Sequence, residues 1–163
     1  MPRYWLDANV LIEANNRSYP IDVAKTFWLR LAEQIQLGNV VSARRVYQEL
    51  AEHEKHQDAV ASFVKARRQH LCIAPSREVQ QAVDEVERYV FGGRYPVAEA
   101  WKFSKGGDPW IVAHAMVDKG VVVTQESALR PNAQVVRVPD VCQHFRVQCA
   151  NTLEMFRSLG VTF

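Results

Sequence analysis

The sequence is sparing in the features that mark specialised classes of protein. It has only three cysteines in 163 residues, Cys72, Cys142 and Cys149, an odd number with no zinc-like pairing to histidines. Cys72 lies in the apolar run Leu71-Cys72-Ile73-Ala74 and reads as a small core residue. Three reduced thiols are therefore expected rather than a disulfide framework. No apolar run approaches the roughly 20 residues that cross a bilayer, and no secretory leader precedes the first strand, so a cytoplasmic protein is expected. A net charge of only +2 gives no global sign of a nucleic-acid binder. There is no internal repeat, low-complexity tract or linker.

What is present is ordinary globular material. With 48% apolar and 23% charged residues, the chain suits a single domain around one buried core. Basic residues collect locally at Arg44-Arg45, at Lys65-Ala66-Arg67-Arg68, and from Arg94 to Lys105. Each such cluster is by default a solvated face.

Short apolar runs alternate with longer amphipathic stretches. Strands are expected at 3–6, 39–42, 71–74, 121–124 and 135–138. Helices are expected at 10–15, 21–36, 43–55, 58–69, 78–91, 97–104, 108–118, 140–145 and 152–159. Val46, Leu50 and Ala51 form one apolar stripe, and Val79, Ala82, Val83, Val86 and Val90 another. Alternating strands and helices predict a three-layer α/β/α domain with a mostly parallel sheet of about five strands. The whole of 1–163 reads as one domain, with 147–163 a C-terminal helical extension.

Four acids fall at strand ends or helix starts: Asp7, Glu49, Asp108 and Glu126. Ligands of open parallel sheets bind beyond the carboxyl ends of the strands, so such a fold can gather these acids at one rim. Clustered carboxylates repel one another unless a cation joins them, which points to a hard divalent metal. Each acid also has a structural reading. Asp7 or Asn9 caps the first helix, and Asp108, between Gly106-Gly107 and Pro109, is a helix N-cap. Ser42 caps the helix that contains Glu49, leaving Glu49 at the edge of the buried stripe.

The flanking residues resemble the PIN-domain nucleases. The resemblance is carried by Leu6-Asp7-Ala8-Asn9-Val10-Leu11 and by Ser42-Ala43-Arg44-Arg45-Val46-Tyr47-Gln48-Glu49-Leu50. It continues in Asp108-Pro109-Trp110-Ile111-Val112-Ala113-His114-Ala115 and in Val123-Thr124-Gln125-Glu126. It spans roughly residues 3 to 145 and is nearest to small prokaryotic toxins of toxin–antitoxin pairs. Glu126 departs from the family pattern, which has Asp there, and Ala8 stands where relatives often carry a hydroxyl.

The resemblance implies Mg2+- or Mn2+-dependent hydrolysis of RNA phosphodiesters, with a cognate antitoxin as protein partner and a homodimer as the assembly. Asp7 and Asp108 are then the main metal ligands, Glu49 completes the site or orients water, and Glu126 assists a second metal. Asn9 and Thr124 are expected to hold carboxylates or water around the metal. Arg94, Lys102 and Lys105, interleaved with Tyr95, Trp101 and Phe103, are candidate RNA contacts. The structural alternative is that Trp101 and Phe103 simply pack onto the core. His114 is expected to be a core or helix-surface residue rather than a general base.

Two other functions compete. A PIN-fold RNA-binding or regulatory module that hydrolyses little or nothing is motivated by Glu126 and Ala8. A receiver-like phospho-acceptor is disfavoured because the third strand ends in Ala74-Pro75-Ser76, without an acceptor Asp.

Overall fold

The computed structural model describes residues 1–52, 59–128 and 132–163. The element order is β1 (Tyr4–Leu6), α1 (Ala8–Glu13), α2 (Lys25–Gln36), β2 (Val40–Ala43), α3 (Arg44–Glu52), α4 (Ala59–Lys65), α5 (Arg68–Leu71) and β3 (Cys72–Ile73). It continues with α6 (Arg77–Val90), α7 (Val97–Ser104), α8 (Asp108–Asp118), β4 (Val121–Val123), α9 (Val138–His144), β5 (Gln148–Ala150) and α10 (Thr152–Ser158). A π-helical turn, Ala14–Ser18, extends α1.

The strands form one five-stranded sheet ordered β3-β2-β1-β4-β5. Every pairing is parallel. Alternation along the strands divides the core. Tyr4, Leu6, Val40, Val121 and Val123 pack with α1 to α4 and α10 on one face. Trp5, Val41 and Val122 pack with α6 to α9 on the other. The chain is therefore the three-layer α/β/α domain expected from its sequence. Side chains of period two facing opposite ways leave almost no polar group inside the sheet.

The apolar stripes of α3 and α6 are buried as their spacing implies. Other expectations need correction. Val135–Val138 is not a strand. Val138 opens α9, because Pro139 suits the first turn of a helix and cannot donate to a ladder. The fifth strand is Gln148–Ala150, whose mixed polarity reflects an exposed sheet edge and conceals it from a hydrophobicity pattern.

Residues 147–163 are consequently more than a helical extension. They supply β5, and Met155 and Phe156 of α10 lie in the core beside β1 and β4. The second helix starts at Lys25 rather than 21, after a turn closed by Ala24 N–H on the Pro20 carbonyl. The helix expected over 58–69 is two helices, α4 and α5, and Leu71 closes α5 instead of opening β3. The expected helix end at 53–55 and start at 58 lie outside the described residues. Among the described residues no helix is long and apolar enough to cross a membrane.

Candidate active site

Beyond Leu6 the chain leaves β1 while still tied to its neighbours. Asp7 N–H donates to the Val123 carbonyl at 3.0 Å, and Thr124 N–H to the Ala150 carbonyl at 3.0 Å. The Ser42 hydroxyl donates to the Leu6 carbonyl at 2.9 Å, so Ser42 is a buried strand residue joining β2 to β1 and not a helix cap. These bonds hold the carboxyl ends of β1, β2, β4 and β5 in register at one rim.

Asp7 stands at the N-cap position of α1, but its side chain makes no capping bond. Its carboxylate is only 2% exposed and accepts the Thr124 hydroxyl at Oδ2, 3.0 Å away. Burial raises its pKa to about 6; the Thr124 bond opposes this, the Glu126 charge adds to it, and the nearby Asn9 and Ala8 amides again oppose it.

Asp108 is not the cap of α8 either. Gly107 takes that role, and Asp108 is the first helical residue. The Gly106-Gly107 pair is there for closeness more than for bending. A Cβ on Gly107 would meet Val46 Cγ2 at 2.5 Å, and one on Gly106 would meet Glu49 Oε1 at 3.0 Å. The glycines let the loop lie directly on α3 and deliver Asp108 beside Glu49. Burial pushes Asp108 up to about 8, followed by repulsion from Asp7, Glu126 and Glu49. The four acids therefore share one electrostatic environment. Without a cation, burial and repulsion make the Asp7–Asp108 pair harder to ionise fully than two free carboxylates.

Glu126 is held at two points. Its backbone N–H donates to Thr124 Oγ1 at 3.1 Å, and its Oε2 accepts Val138 N–H at 2.9 Å. The extra methylene relative to aspartate lets the carboxylate reach the start of α9.

Among the described residues no three His, Cys, Asp or Glu side chains converge well enough to cage a metal ion. The donor chemistry nevertheless suits one kind of cation. Buried Asp7 and half-buried Asp108, both with raised pKa values, and two glutamates close enough to repel Asp108 form an all-oxygen, negatively charged set. Such a set fits a hard divalent ion that keeps most of its waters and needs only one or two direct carboxylates.

The other expected residues are more dispersed. Thr124 is placed on Asp7. Asn9 is exposed, and its side chain makes no hydrogen bond among the described residues. Lys102 pairs with Glu99 at 3.0 Å, and Arg94 lies 4.8 Å over the Tyr95 ring. Lys105 is exposed, and its carbonyl accepts Arg45 Nη2 at 3.0 Å. Phe103 is core, whereas Trp101 is 62% exposed against Phe91. His114 is buried and stacked on Trp5, with ring centroids 4.3 Å apart.

Two features escape sequence reasoning. Cys142 and Cys149 are neighbours between α9 and β5. Their mutual hydrogen bond raises the Cys142 thiol pKa and lowers that of Cys149. The basic clusters Arg44-Arg45 and Lys65 to Arg68 also come together, around hollows beside α3. The only available signal was that both clusters flank expected strands.

A parallel three-layer α/β protein with clustered carboxylates at its carboxyl-end rim is the class these observations define. The chain belongs to the family described as Domain of unknown function (DUF4411), whose profile matches residues 4–163. No curated protein matches it. Among solved structures it is similar to one described as the crystal structure of VapBC2 from Rickettsia felis bound to a DNA fragment from their promoter. That likeness has a TM-score of 0.54 at 15% identity and covers 91% of this chain and 97% of the other. It bears out the PIN-like fold implied by the motifs.

Proposed function

We propose that the protein is a divalent-metal-dependent endoribonuclease, the toxin of a type II toxin–antitoxin pair, acting in the cytoplasm under the restraint of a protein antitoxin. The observation that carries the catalytic part is the gathering of Glu49, Asp108 and Glu126 around the buried Asp7 at the carboxyl-end rim, close enough for Asp7, Glu126 and Glu49 all to raise the pKa of Asp108. Clustered carboxylates with raised pKa values are characteristic of functional sites, where their charge has a use. The toxin assignment draws on the sequence resemblance and on the fold shared with VapBC2.

Asp7 and Asp108 would hold Mg2+ or Mn2+, with Glu49 and Glu126 completing the oxygen set. When bound, the cation lowers the pKa of water, polarises the phosphoryl oxygen and neutralises charge on the leaving oxygen. Thr124 fixes the Asp7 carboxylate by donating to Oδ2. Glu49, held against the Gly106 turn, orients the attacking water by accepting its proton. Glu126 keeps the β4 loop docked on α9 while adding negative charge at the rim.

A second reading, an RNA-binding module with little or no hydrolysis, is favoured by the engagement of Glu126 with Val138 and by the lack of a three-ligand cage among the described residues. One experiment separates the two. Purified protein is incubated with structured and single-stranded RNA in Mn2+ or Mg2+, alongside Asp7→Asn and a chelator control. Cleavage lost in both controls supports the nuclease, and cleavage that survives both removes the metal-carboxylate mechanism. Metal binding without cleavage across the RNA panel selects the binding module.

A further inference from the structure

Two basic segments about twenty residues apart in sequence meet beside α3. Arg44 and Arg68 line both of two hollows. The first, about 580 Å³, is completed by Lys65, Gln69 and Cys72. The second, about 380 Å³, is completed by Arg45, Gln48, Trp110 and His114. No Asp or Glu among the described residues lines either one. Arg44, Lys65 and Arg68 are exposed, and none joins an ion pair among the described residues. Surface cations that a fold has brought together without counter-charges repel one another, so their placement favours a polyanion.

The second hollow is more than a patch of charge. Trp110 is half-buried and contributes ring surface. His114 lines the hollow while 4% exposed, and its Nε2 has no hydrogen-bond partner. A buried imidazole nitrogen left unpartnered is costly unless something else satisfies it. Burial, then Arg3, keeps the imidazole neutral, so it adds no charge to the floor of the hollow. Gln48 adds a second neutral polar group.

The hollow also has a direction. Gln48 precedes Glu49, which faces Gly106 on the acidic side. Arg45 bridges to the Lys105 carbonyl, three residues before Asp108. The same helix thus presents Arg44 and Gln48 to the hollow, while Arg45 and Glu49, one turn apart on a neighbouring face, reach towards the Gly106 loop. A strand crossing its first turn would run from the hollow to the carboxylates.

We propose that the hollow between α3, α5 and α8 is a subsite for single-stranded RNA next to the scissile phosphate. Arg44 and Arg68, with Lys65 of the adjoining hollow, take backbone phosphates, while Trp110 and Gln48 receive a base over a floor formed by His114. This proposal rests on the nuclease reading for its register relative to the acids, but its binding step needs no metal.

The test measures fluorescence anisotropy of a roughly 12-nucleotide oligouridylate in chelator, over a series of salt concentrations. The proteins are the wild type, Arg44→Gln/Arg68→Gln, Lys65→Gln, Trp110→Ala, Asp7→Asn and, as a distant exposed control, Arg157→Gln. The double arginine variant should bind about tenfold more weakly, with the slope of log Kd against log salt reduced by roughly 1.4, or 0.7 per lost phosphate contact. Lys65→Gln should reduce the slope by half as much. Trp110→Ala should weaken binding with an unchanged slope. Asp7→Asn should still bind while losing cleavage.

Binding by the arginine and Lys65 variants equal to that of Arg157→Gln overturns the proposal, as does absence of wild-type binding. Displacement of the RNA by polyglutamate at equal charge also overturns it, because an acidic polypeptide would then be the better occupant. RNA binding that depends on the hollow, without cleavage in Mn2+ by any form, sinks the nuclease reading and leaves the binding site standing.

Discussion

The Thr124 hydroxyl lies 3.0 Å from Asp7 Oδ2, joining the ends of β4 and β1 through two side chains 117 residues apart in sequence. The same oxygen of Thr124 receives the Glu126 amide, so one hydroxyl fixes one acid and positions the turn that carries another. Thr124→Val keeps the shape and removes both roles. Leaving a buried carboxylate without its donor should cost about 1–3 kcal/mol of stability. Because the bond lowers the Asp7 pKa, its loss should raise that pKa further. The acid limb of the cleavage pH profile should then move to higher pH, while Thr124→Ser restores the wild-type profile. An unchanged limb in the valine variant would show that Asp7 does not govern it.

Asp108 ties stability to pH in a definite direction. Its pKa is about 8 in the metal-free fold against an ordinary value of 3.8. Below the ordinary value both folded and unfolded chains hold the proton. As pH rises from there to about 8, the unfolded chain releases it first and the fold loses stability, levelling off above. Asp108→Asn cannot ionise and escapes that loss. In chelator its melting temperature should overtake that of the wild type as pH rises, with the advantage reaching its plateau above about pH 8. Mn2+ should raise the wild-type melting temperature and leave the variant's nearly unchanged. Thermal denaturation at several pH values, with and without metal, checks both statements. A variant that gains no stability relative to wild type between pH 5 and pH 9 would show that the fold does not disfavour the ionised Asp108.

How legible the protein was depends on what kind of signal each element carries. The central strands were readable because Tyr4-Trp5-Leu6, Val40-Val41 and Val121-Val122-Val123 are buried on both faces and therefore continuously apolar. The edge strand Gln148-Cys149-Ala150 carries no such mark, and the apolar Val135-Val136 beside it misled. Among the site residues, Asp7 and Asp108 were visible as acids at strand and helix ends, but their capping roles were not real. A capping residue and an acid beside one look alike in sequence, and only Gly107 as the true cap frees Asp108 to face the other acids. The meeting of Arg44 with Arg68 was hidden because it depends on how α4 and α5 return to the sheet, a packing outcome with no local pattern.

Gly107 offers a test of that geometry. Gly107→Ala places a Cβ 2.5 Å from Val46 Cγ2, with Val46 backbone atoms at 3.2 and 3.3 Å. The loop must lift from α3, at a cost of about 1–3 kcal/mol in stability. Cleavage should fall more steeply than stability, because Asp108 moves away from Glu49. Val46→Ala removes the nearest atom, so the double variant should show a favourable coupling of about 1 kcal/mol in a double-mutant cycle. Strict additivity would mean that the contact does not set the position of Asp108.

His114 gives the opposite pH behaviour from Asp108, and that contrast makes it separable. Burial, then the Arg3 charge, lowers its pKa to about 4 from the ordinary 6.5. Above 6.5 neither folded nor unfolded chain is protonated there, and the full stability is present. As pH falls from 6.5 towards 4, the unfolded chain gains a proton that the folded imidazole refuses, so stability is lost. Below about 4 the loss levels off, at roughly 3 kcal/mol for a shift of this size. The raised Asp7 and Asp108 carboxylates gain stability over part of the same range, so the wild-type curve alone would mask the effect. His114→Phe keeps an aromatic ring against Trp5 and does not titrate. The stability of His114→Phe minus that of the wild type, measured by urea denaturation, should be flat above pH 7 and rise steadily on acidification to pH 4. A flat difference throughout would mean that His114 takes up its proton in the fold as readily as in the unfolded chain.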